Sequence, residues 1–324
     1  MKRILVTGAA GYIGSVVVKQ LLNKGYFVRG IDILNFGGEA LLSVYNHPNF
    51  EFIKGDLRNE DDVVKSLKEV DGVIHLAAIV GDPACAKEPQ VAEDTNWKAS
   101  KLLFDNAQLI PSVKRFVFAS TCSNYGKMPG DNLLNEDSDL NPVSLYAKLK
   151  VKFEKYVLES ETRKDFVPTT LRFATAYGLS PRVRFDLTVN EFSKEVALER
   201  ELVIFGEQFW RPYCHVEDLA SACILAMESE PKKVNHRVFN VGDSNENYQK
   251  KMIADEILKF VPSAKIKYVH KDEDPRDYKV DFSRIKNELG FKISRTVPQG
   301  LQEIYSIVKN GIIKNPDSKQ YINI

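Results

Sequence analysis

The chain predicts a doubly wound α/β fold, a parallel sheet covered by helices on both faces, with a smaller C-terminal α/β lobe attached. Three observations predict it. Short, almost continuous apolar runs alternate with amphipathic helical stretches. The first run ends in a turn punctuated by Gly8, Gly11 and Gly14, and the alternation degrades beyond Gly178.

The elements follow in chain order. Ile4 to Thr7, Phe27 to Ile31, Phe50 to Lys54, Gly72 to Ala78, Arg115 to Ser120 and Thr169 to Phe173 read as strands, and their lack of polar alternation marks strands buried on both faces. Helical periodicity fills the intervals at Tyr12 to Asn23, Glu60 to Lys68, Thr95 to Gln108 and Leu145 to Glu159. Strands and helices joined by short connections imply right-handed crossovers. Further along come a helix at Leu187 to Glu199, a strand at Leu202 to Phe205, a helix after Val216 and a strand at Val238 to Val241. A helix at Gln249 to Phe260, a strand at Ile266 to Val269 and a last helix at Gln299 to Lys309 complete the chain. Residues 1–180 are assigned to the first domain and 181–324 to the second lobe, with some later segments expected to return to the first. No linker rich in Gly, Ser or Pro separates them, so the lobes are expected in close contact.

A chain of 324 residues can bury a large core, and 44% hydrophobic with 27% charged residues disfavours both disorder and a fibrous architecture. The formal net charge of +1 gives no long-range attraction for nucleic acid, so an anionic ligand needs a local site. Cys85, Cys122, Cys214 and Cys223 are scattered, without a Cys-x-x-Cys pair or histidines at zinc spacing. Neither a disulfide framework nor a metal site is implied, and a cytoplasmic location fits. The N-terminal apolar run breaks at Gly8 and no run of about eighteen apolar residues occurs, so neither a signal peptide nor a membrane partner is read.

The segment Thr7-Gly8-Ala9-Ala10-Gly11-Tyr12-Ile13-Gly14 makes a tight turn, lets backbone approach a pyrophosphate and packs the next helix closely on the sheet. The N-terminus of that helix then faces the phosphates. Asp32 ends the second strand, where its carboxylate accepts both ribose hydroxyls of an adenosine and repels a 2′-phosphate by like charge. Together these features point to NAD, and against NADP, as cofactor. Asp56, in Gly55-Asp56-Leu57 at the end of the third strand, is placed either to reach the adenine amine or to cap the next helix.

Two further segments converge on the carboxyl edge of such a sheet, where ligands bind in open α/β folds. One is Phe118 to Gly126, a strand running through Ser120 and Thr121 into a polar turn; the other is Ser144 to Lys150, which opens a helix behind Pro142. Tyr146 and Lys150 are four residues apart and share one helix face, while Lys148 lies off it and is assigned to solvent. A free tyrosine titrates at about 10, so it serves as a base at neutral pH only where the phenolate is favoured. Lys150, the positive nicotinamide ring and the helix N-terminus are all expected to favour it. Tyr146 then removes a sugar hydroxyl proton while hydride leaves the same carbon. Thr121 hydrogen-bonds the reacting oxygen, and Lys150 also holds the nicotinamide ribose.

With these residues the chain resembles the extended short-chain dehydrogenase/reductases, in the nucleotide-sugar epimerase/dehydratase family, over essentially its whole length. The matching pieces are the Gly8/Gly11/Gly14 turn, Asp32, Gly55-Asp56-Leu57, His75-Leu76-Ala77-Ala78, Asn96, Ser120-Thr121 with Tyr125-Gly126, Tyr146/Lys150, and Leu171-Arg172-Phe173 leading to Tyr177-Gly178. The resemblance implies a Rossmann-type domain carrying NAD and a C-terminal lobe gripping a nucleoside diphosphate sugar. It adds Tyr12, Ile13, Leu57, Leu76, Ala77, Ala78, Asn96, Ser120 and Phe173 to the cofactor contacts. It places the substrate diphosphate on Arg211, in Arg211-Pro212-Tyr213-Cys214-His215-Val216-Glu217-Asp218, and on Arg276, in Asp274-Pro275-Arg276-Asp277-Tyr278. Guanidinium forks match phosphate oxygens. Asn190 resembles an asparagine that binds the diphosphate or the base, His215 reads as structural, and a homodimer through the helices Thr95 to Gln108 and Leu145 to Glu159 is the family expectation.

Departures from the family pattern separate the reactions. A 4,6-dehydratase carries Asp-Glu directly after the catalytic threonine, and related decarboxylases carry a glutamate at the second of those positions. Cys122 and Ser123 stand there in this chain, so both reactions are disfavoured. Small neutral residues after Thr121 fit a 4-epimerase acting through a transient 4-keto sugar, with Thr121, Cys122, Ser123 and Thr175 as substrate contacts. Thr175 stands near a position that holds asparagine in the family. The alternatives are a 4-dehydrogenase or 4-ketoreductase running half of that cycle, and an NAD-binding sensor or scaffold. Intact Thr121, Tyr146 and Lys150 argue against the last.

Overall fold

A computed structural model describes residues 2–127, 133–274 and 276–323, so Met1, residues 128–132, Pro275 and Ile324 lie outside the described residues. The strands are β1 Arg3–Thr7, β2 Phe27–Asp32, β3 Phe50–Lys54, β4 Gly72–His75, β5 Arg115–Thr121, β6 Leu133–Leu134, β7 Val167–Phe173, β8 Thr175–Tyr177, β9 Leu202–Phe205, β10 Trp210–His215, β11 Arg237–Val241, β12 Asn247–Gln249, β13 Ile266–Val269 and β14 Lys279–Val280. Seven of them form one sheet in the order β11-β7-β5-β4-β1-β2-β3, with every neighbouring pair parallel. All six strands read before Gly178 are in it. The seventh, β11, comes from beyond residue 180 and pairs along β7 from Arg237 to Val241.

Every residue of β4 and β7 is buried, as continuous apolar runs require of central strands. In β3, at the free edge, only Ile53 is fully buried, so the expectation of two covered faces does not hold there. The helices Gly14–Asn23 and Val216–Glu228 cover one face of the sheet, through Val17, Leu21, Leu219 and Cys223. Glu60–Ser66, Ser100–Leu109 and Leu145–Glu159 cover the other, through Val63, Phe104 and Phe153. From β1 the chain steps outward to β2 and β3, then returns to place β4 on the opposite side of β1. That reversal opens a crevice at the carboxyl ends of β1 and β4, where a ligand can enter the sheet edge.

Two elements differ from the sequence reading for identifiable reasons. The strand read as far as Ala78 stops at His75, because the amides of Leu76 and Ala77 turn to the Thr7 hydroxyl, each at 3.1 Å. The helix read from Thr95 begins as a π-helix, Asp94–Ala99, before the α-helix Ser100–Leu109. This wider turn carries Asn96 back toward the loop after β4. The short helices Asp82–Lys87 and Pro89–Glu93 in that loop are too brief to show periodicity.

In the second lobe β10 pairs with β8 and β12, and β9 pairs with β13, around a core that includes Tyr177, Phe192, Ile204, Tyr213, Ile257 and Leu301. Among the described residues no helix is long and apolar enough to cross a membrane. The helix Leu145–Glu159 is seated by Phe153, which is fully buried and meets Phe118 edge-to-face at 4.7 Å. Phe153→Ala should lower unfolding free energy by about 3–5 kcal/mol, read from the denaturant midpoint. A loss below about 1 kcal/mol would show that this seat does not hold the helix.

Candidate active site

The turn after β1 is built around two glycines that tolerate no substitute. Gly8 has φ +68°, and a Cβ there would stand 3.0 Å from the Ala77 backbone. A Cβ on Gly14 would stand 1.9 Å from the carbonyl oxygen of Gly8. Gly11 N–H closes the turn on that same carbonyl at 3.0 Å. Asp32, at the end of β2, accepts the amides of Ala10 at 3.0 Å and Leu34 at 2.8 Å, which fixes its carboxylate at the rim. Burial, the largest influence, raises its pKa, and those two amides oppose it. A bare backbone cradle at a helix N-terminus, with a fixed carboxylate beside it, fits the diphosphate and ribose of a dinucleotide.

Other residues read as cofactor contacts act at one remove. The Asn96 side chain accepts the Ile79 amide at 2.8 Å and donates to the Ile79 carbonyl at 2.9 Å, so it shapes the loop that follows Leu76, Ala77 and Ala78. The Tyr12 phenol is buried and donates to the Gly178 carbonyl at 2.6 Å, leaving the backbone of Tyr12 and Ile13 to face the turn. Leu57 is buried beneath β3, while Asp56 pairs with Arg58 at 2.6 Å, which holds its carboxyl below the usual range. The alternative role for Asp56, capping the next helix, belongs to Asn59, whose side chain accepts the Asp61 and Asp62 amides.

Thr121, the last residue of β5, lies close enough to Tyr146 to act on its phenol, and its own hydroxyl accepts the Ser123 amide at 3.1 Å. Ser144 caps the helix that presents Tyr146, accepting the Ala147 amide at 3.2 Å. Lys150 is buried and donates to the Ala119 carbonyl at 2.7 Å, with its ammonium 5.9 Å from the Tyr146 ring centre and 4.7 Å from that of Phe118. Lys148 is exposed, as its offset spacing implies. The expectation of an acidic phenol is not met by the chain alone. Burial, the largest influence, raises the Tyr146 pKa, while Arg184 and Thr121 oppose it. The nicotinamide charge invoked for the lowering is a property of the bound cofactor, so the free protein holds a neutral phenol.

Behind this pair lies a buried ionic network. Arg172 of β7 pairs with Glu154 at 2.6 Å, and the side chains are 4% and 1% exposed. Glu154 also accepts the Ser120 hydroxyl at 2.6 Å and the Asn124 amide at 3.2 Å, and Arg172 donates to the Tyr125 hydroxyl at 2.9 Å. Ser120, read as a cofactor contact, is thus turned away from the cleft into this network. Cys122, read as a substrate contact, is turned inward as well. Its thiol donates to the Arg172 carbonyl at 3.3 Å, and burial raises its pKa. Ser123 is half-buried and lies close enough to Tyr278 to act on its phenol, and Phe173 lies buried beside Thr121 in the β5–β7 register.

Of the residues read as substrate contacts on the second lobe, Thr175 pairs with Tyr213 between β8 and β10 and is half-buried. Arg211 is buried in an ion pair with Asp274 at 2.8 Å, and Arg276 bridges to Asp82 of the first domain at 3.2 Å. Asn190 does not line the cleft. It is fully buried, accepts the Gly178 amide at 2.9 Å and donates to the Arg184 carbonyl at 2.8 Å, so both ends of its amide are engaged by backbone. His215 is structural as read, bonded to Glu303 at 3.0 Å and to the Glu217 amide at 3.2 Å.

Sequence reasoning missed Arg182, Arg184, Asp82 and Cys85. Arg184 and Asp82 are close enough to Tyr146 to move its pKa, and Cys85 is buried beside it. Only the pair of arginines in the run Arg182-Val183-Arg184 after Gly178 offered a signal.

Two outcomes test this geometry. Glu154→Gln leaves the Arg172 charge buried without its counter-ion and should destabilise the protein by about 3 kcal/mol in chemical denaturation; a neutral effect would dismiss the network as the support of the site. Burial also lowers the pKa of Lys150 from 10.5 to about 8. The native state holds that proton less tightly than the unfolded chain, so the cost to stability is full below the native value and fades as pH rises from about 8 to 10.5. Relative to Lys150→Met, the cofactor-free protein should gain in thermal midpoint across that window, and an unchanging difference would refute the assignment.

Known proteins resemble this chain in sequence and fold. The chain is 29% identical over 310 residues to a UDP-glucose 4-epimerase of Lactobacillus helveticus, covering 90% of this chain and 92% of that protein. It is 29% identical over 323 residues to a UDP-glucuronate 4-epimerase of Thermodesulfobacterium geofontis, covering 95% and 96%. The crystal structure of a UDP-glucuronic acid 4-epimerase from Bacillus cereus, in complex with UDP-glucuronic acid and NAD, superposes with a TM-score of 0.84 at 28% identity, covering 95% of this chain and 99% of that one. The model of the NAD-dependent epimerase/dehydratase family matches residues 4–242, which hold the glycine turn, Asp32, Thr121, Tyr146 and Lys150, and the chain therefore belongs to that family.

Proposed function

We propose that the protein is an NAD-dependent nucleotide-sugar 4-epimerase. The observation that carries this reading is the position after Thr121. A 4,6-dehydratase or a decarboxylase needs a carboxylate there, and this chain offers a thiol turned into the core and the neutral Ser123. That leaves Tyr146 and Thr121 able to act on one hydroxyl, with no carboxylate at the two positions after Thr121 to drive elimination beyond it. The relatives described as UDP-glucose and UDP-glucuronate 4-epimerases support the same reaction.

Bound NAD supplies the hydride acceptor for C4 of the sugar, and the donor that reduces the resulting ketone. The residues of the chain do the rest. Thr121 orients the C4 oxygen toward Tyr146, which it adjoins. Tyr146 takes the hydroxyl proton and later gives it back to the other epimer. Lys150, buried and fixed on the Ala119 carbonyl, holds a positive charge beneath the ring and favours phenolate once the ligands are bound. Arg211 and Arg276, with Asp274 and Asp82 as present partners, are placed to hold the diphosphate while the 4-keto sugar turns about it.

Incubation with UDP-, GDP-, CDP- and dTDP-sugars, followed by NMR of the sugar protons, should yield a C4 epimer from one of them. Net build-up of a keto sugar, or stoichiometric NADH turnover, would instead assign half of the cycle. Tyr146→Phe should reduce turnover by about a thousandfold while leaving NAD bound, and unchanged turnover would remove Tyr146 from the mechanism.

A further inference from the structure

The chain that follows β8 enters the cofactor side of the crevice. Ser180 Oγ donates to the Tyr12 carbonyl at 2.6 Å and shares a hydrogen bond with Ser15 Oγ at 3.2 Å, while the Tyr12 phenol donates to the Gly178 carbonyl at 2.6 Å. Those bonds fasten residues 178–180 to the N-terminus of the helix Gly14–Asn23, just behind the glycine turn. Arg182 extends from this anchor with its guanidinium 3.9 Å over the ring of Phe36, in the loop that follows Asp32.

The Arg182 side chain is 7% exposed, yet its Nε and Nη2 have no hydrogen-bond partner. Neither facing carboxylate bonds it. Asp32 accepts the Ala10 and Leu34 amides, and Asp186 pairs with Arg184. Burying two unpaired N–H groups of a cation is costly, and a bound anion would relieve that cost.

We propose that Arg182 binds the pyrophosphate of the NAD cofactor. The backbone of the glycine turn meets the phosphates from one side, and Arg182 meets them from the second lobe's side with Nε and Nη2. Phe36 keeps the guanidinium plane fixed, so little side-chain entropy is lost on binding. In a chain with formal net charge +1, this supplies a local cation where the glycine turn offers only partial charges. The contact rests on the NAD site of the family and holds whichever sugar reaction the enzyme runs.

Calorimetric titration of the cofactor-stripped, full-length protein with NAD, ADP-ribose, adenosine and NADP tests it, for the wild type, Arg182→Met and Arg182→Lys, with circular dichroism confirming the fold. Arg182→Met should weaken NAD and ADP-ribose by about tenfold to a hundredfold and leave adenosine within about twofold, and Arg182→Lys should recover part of the loss. Should the methionine variant fail to fold, the lysine variant must still show a loss for NAD and ADP-ribose that adenosine lacks. Unchanged NAD affinity overturns the proposal. An equal loss for adenosine also overturns it, making Arg182 a wall of the nucleoside pocket. So does a wild-type preference for NADP that disappears in Arg182→Met, since that would assign the guanidinium to a 2′-phosphate. None of these readouts depends on epimerisation.

Discussion

The buried ion pair between Arg172 and Glu154 is the constraint on which the site depends. Glu154 lies one helical turn beyond Lys150 and two beyond Tyr146, on the helix that must hold both against the end of β5. Its carboxylate reaches Ser120 and Asn124 on the β5 side and Arg172 on β7, so one group registers the helix against two strands. Such a pair adds little net stability over an apolar alternative, because two charges lose their water. What it does here is restrict the helix to one position along the sheet, since a slide of one residue would strand a charge in the core. Tyr125 extends the network to Asn240 of β11, drawing the returning segment into the same register.

A second set of bonds joins the lobes. Tyr12, Ser15 and Asn190, polar residues that could each have faced a ligand, are directed instead at the segment from Gly178 to Arg184. His215 fills the space beneath Gly178, where a Cβ would come within 2.0 Å of its ring, so the joint leaves no room to drift. The crevice is therefore shaped by residues that never face it. Its two arginines, Arg182 toward Asp32 and Arg184 toward Tyr146, are carried in by that joint.

The electrostatics of the free protein are those of a site awaiting its ligands. Burial raises the Tyr146 phenol and lowers the Lys150 ammonium, each toward its neutral form. Arg211 is matched with Asp274, and Arg276 with Asp82 and Asp274. The positive cofactor ring would thus add to the charge that Lys150 already holds near the phenol.

The strands, the glycine turn and the Tyr146/Lys150 pair were legible in the sequence, because each depends on spacing within a few residues of one element. Gly8 and Gly14 are demanded by local backbone geometry, and the i,i+4 spacing alone puts Tyr146 and Lys150 on one face. Ser120, Cys122, Asn96 and Asn190 were not legible. Each sits at a position that spacing brings near the cleft, but which way its side chain turns is decided by a partner 11 to 50 residues away. Arg182 is the clearest case. Beyond its place in the run Arg182-Val183-Arg184, nothing local distinguishes it from a solvated arginine, and the packing of distant segments encloses its guanidinium without a partner. The sequence determined which elements form and which chemical groups meet the sheet edge, since those follow from periodicity and backbone sterics. Tertiary structure alone decided which of those groups face a ligand, since hydrogen-bond satisfaction in a closed core is settled between distant segments.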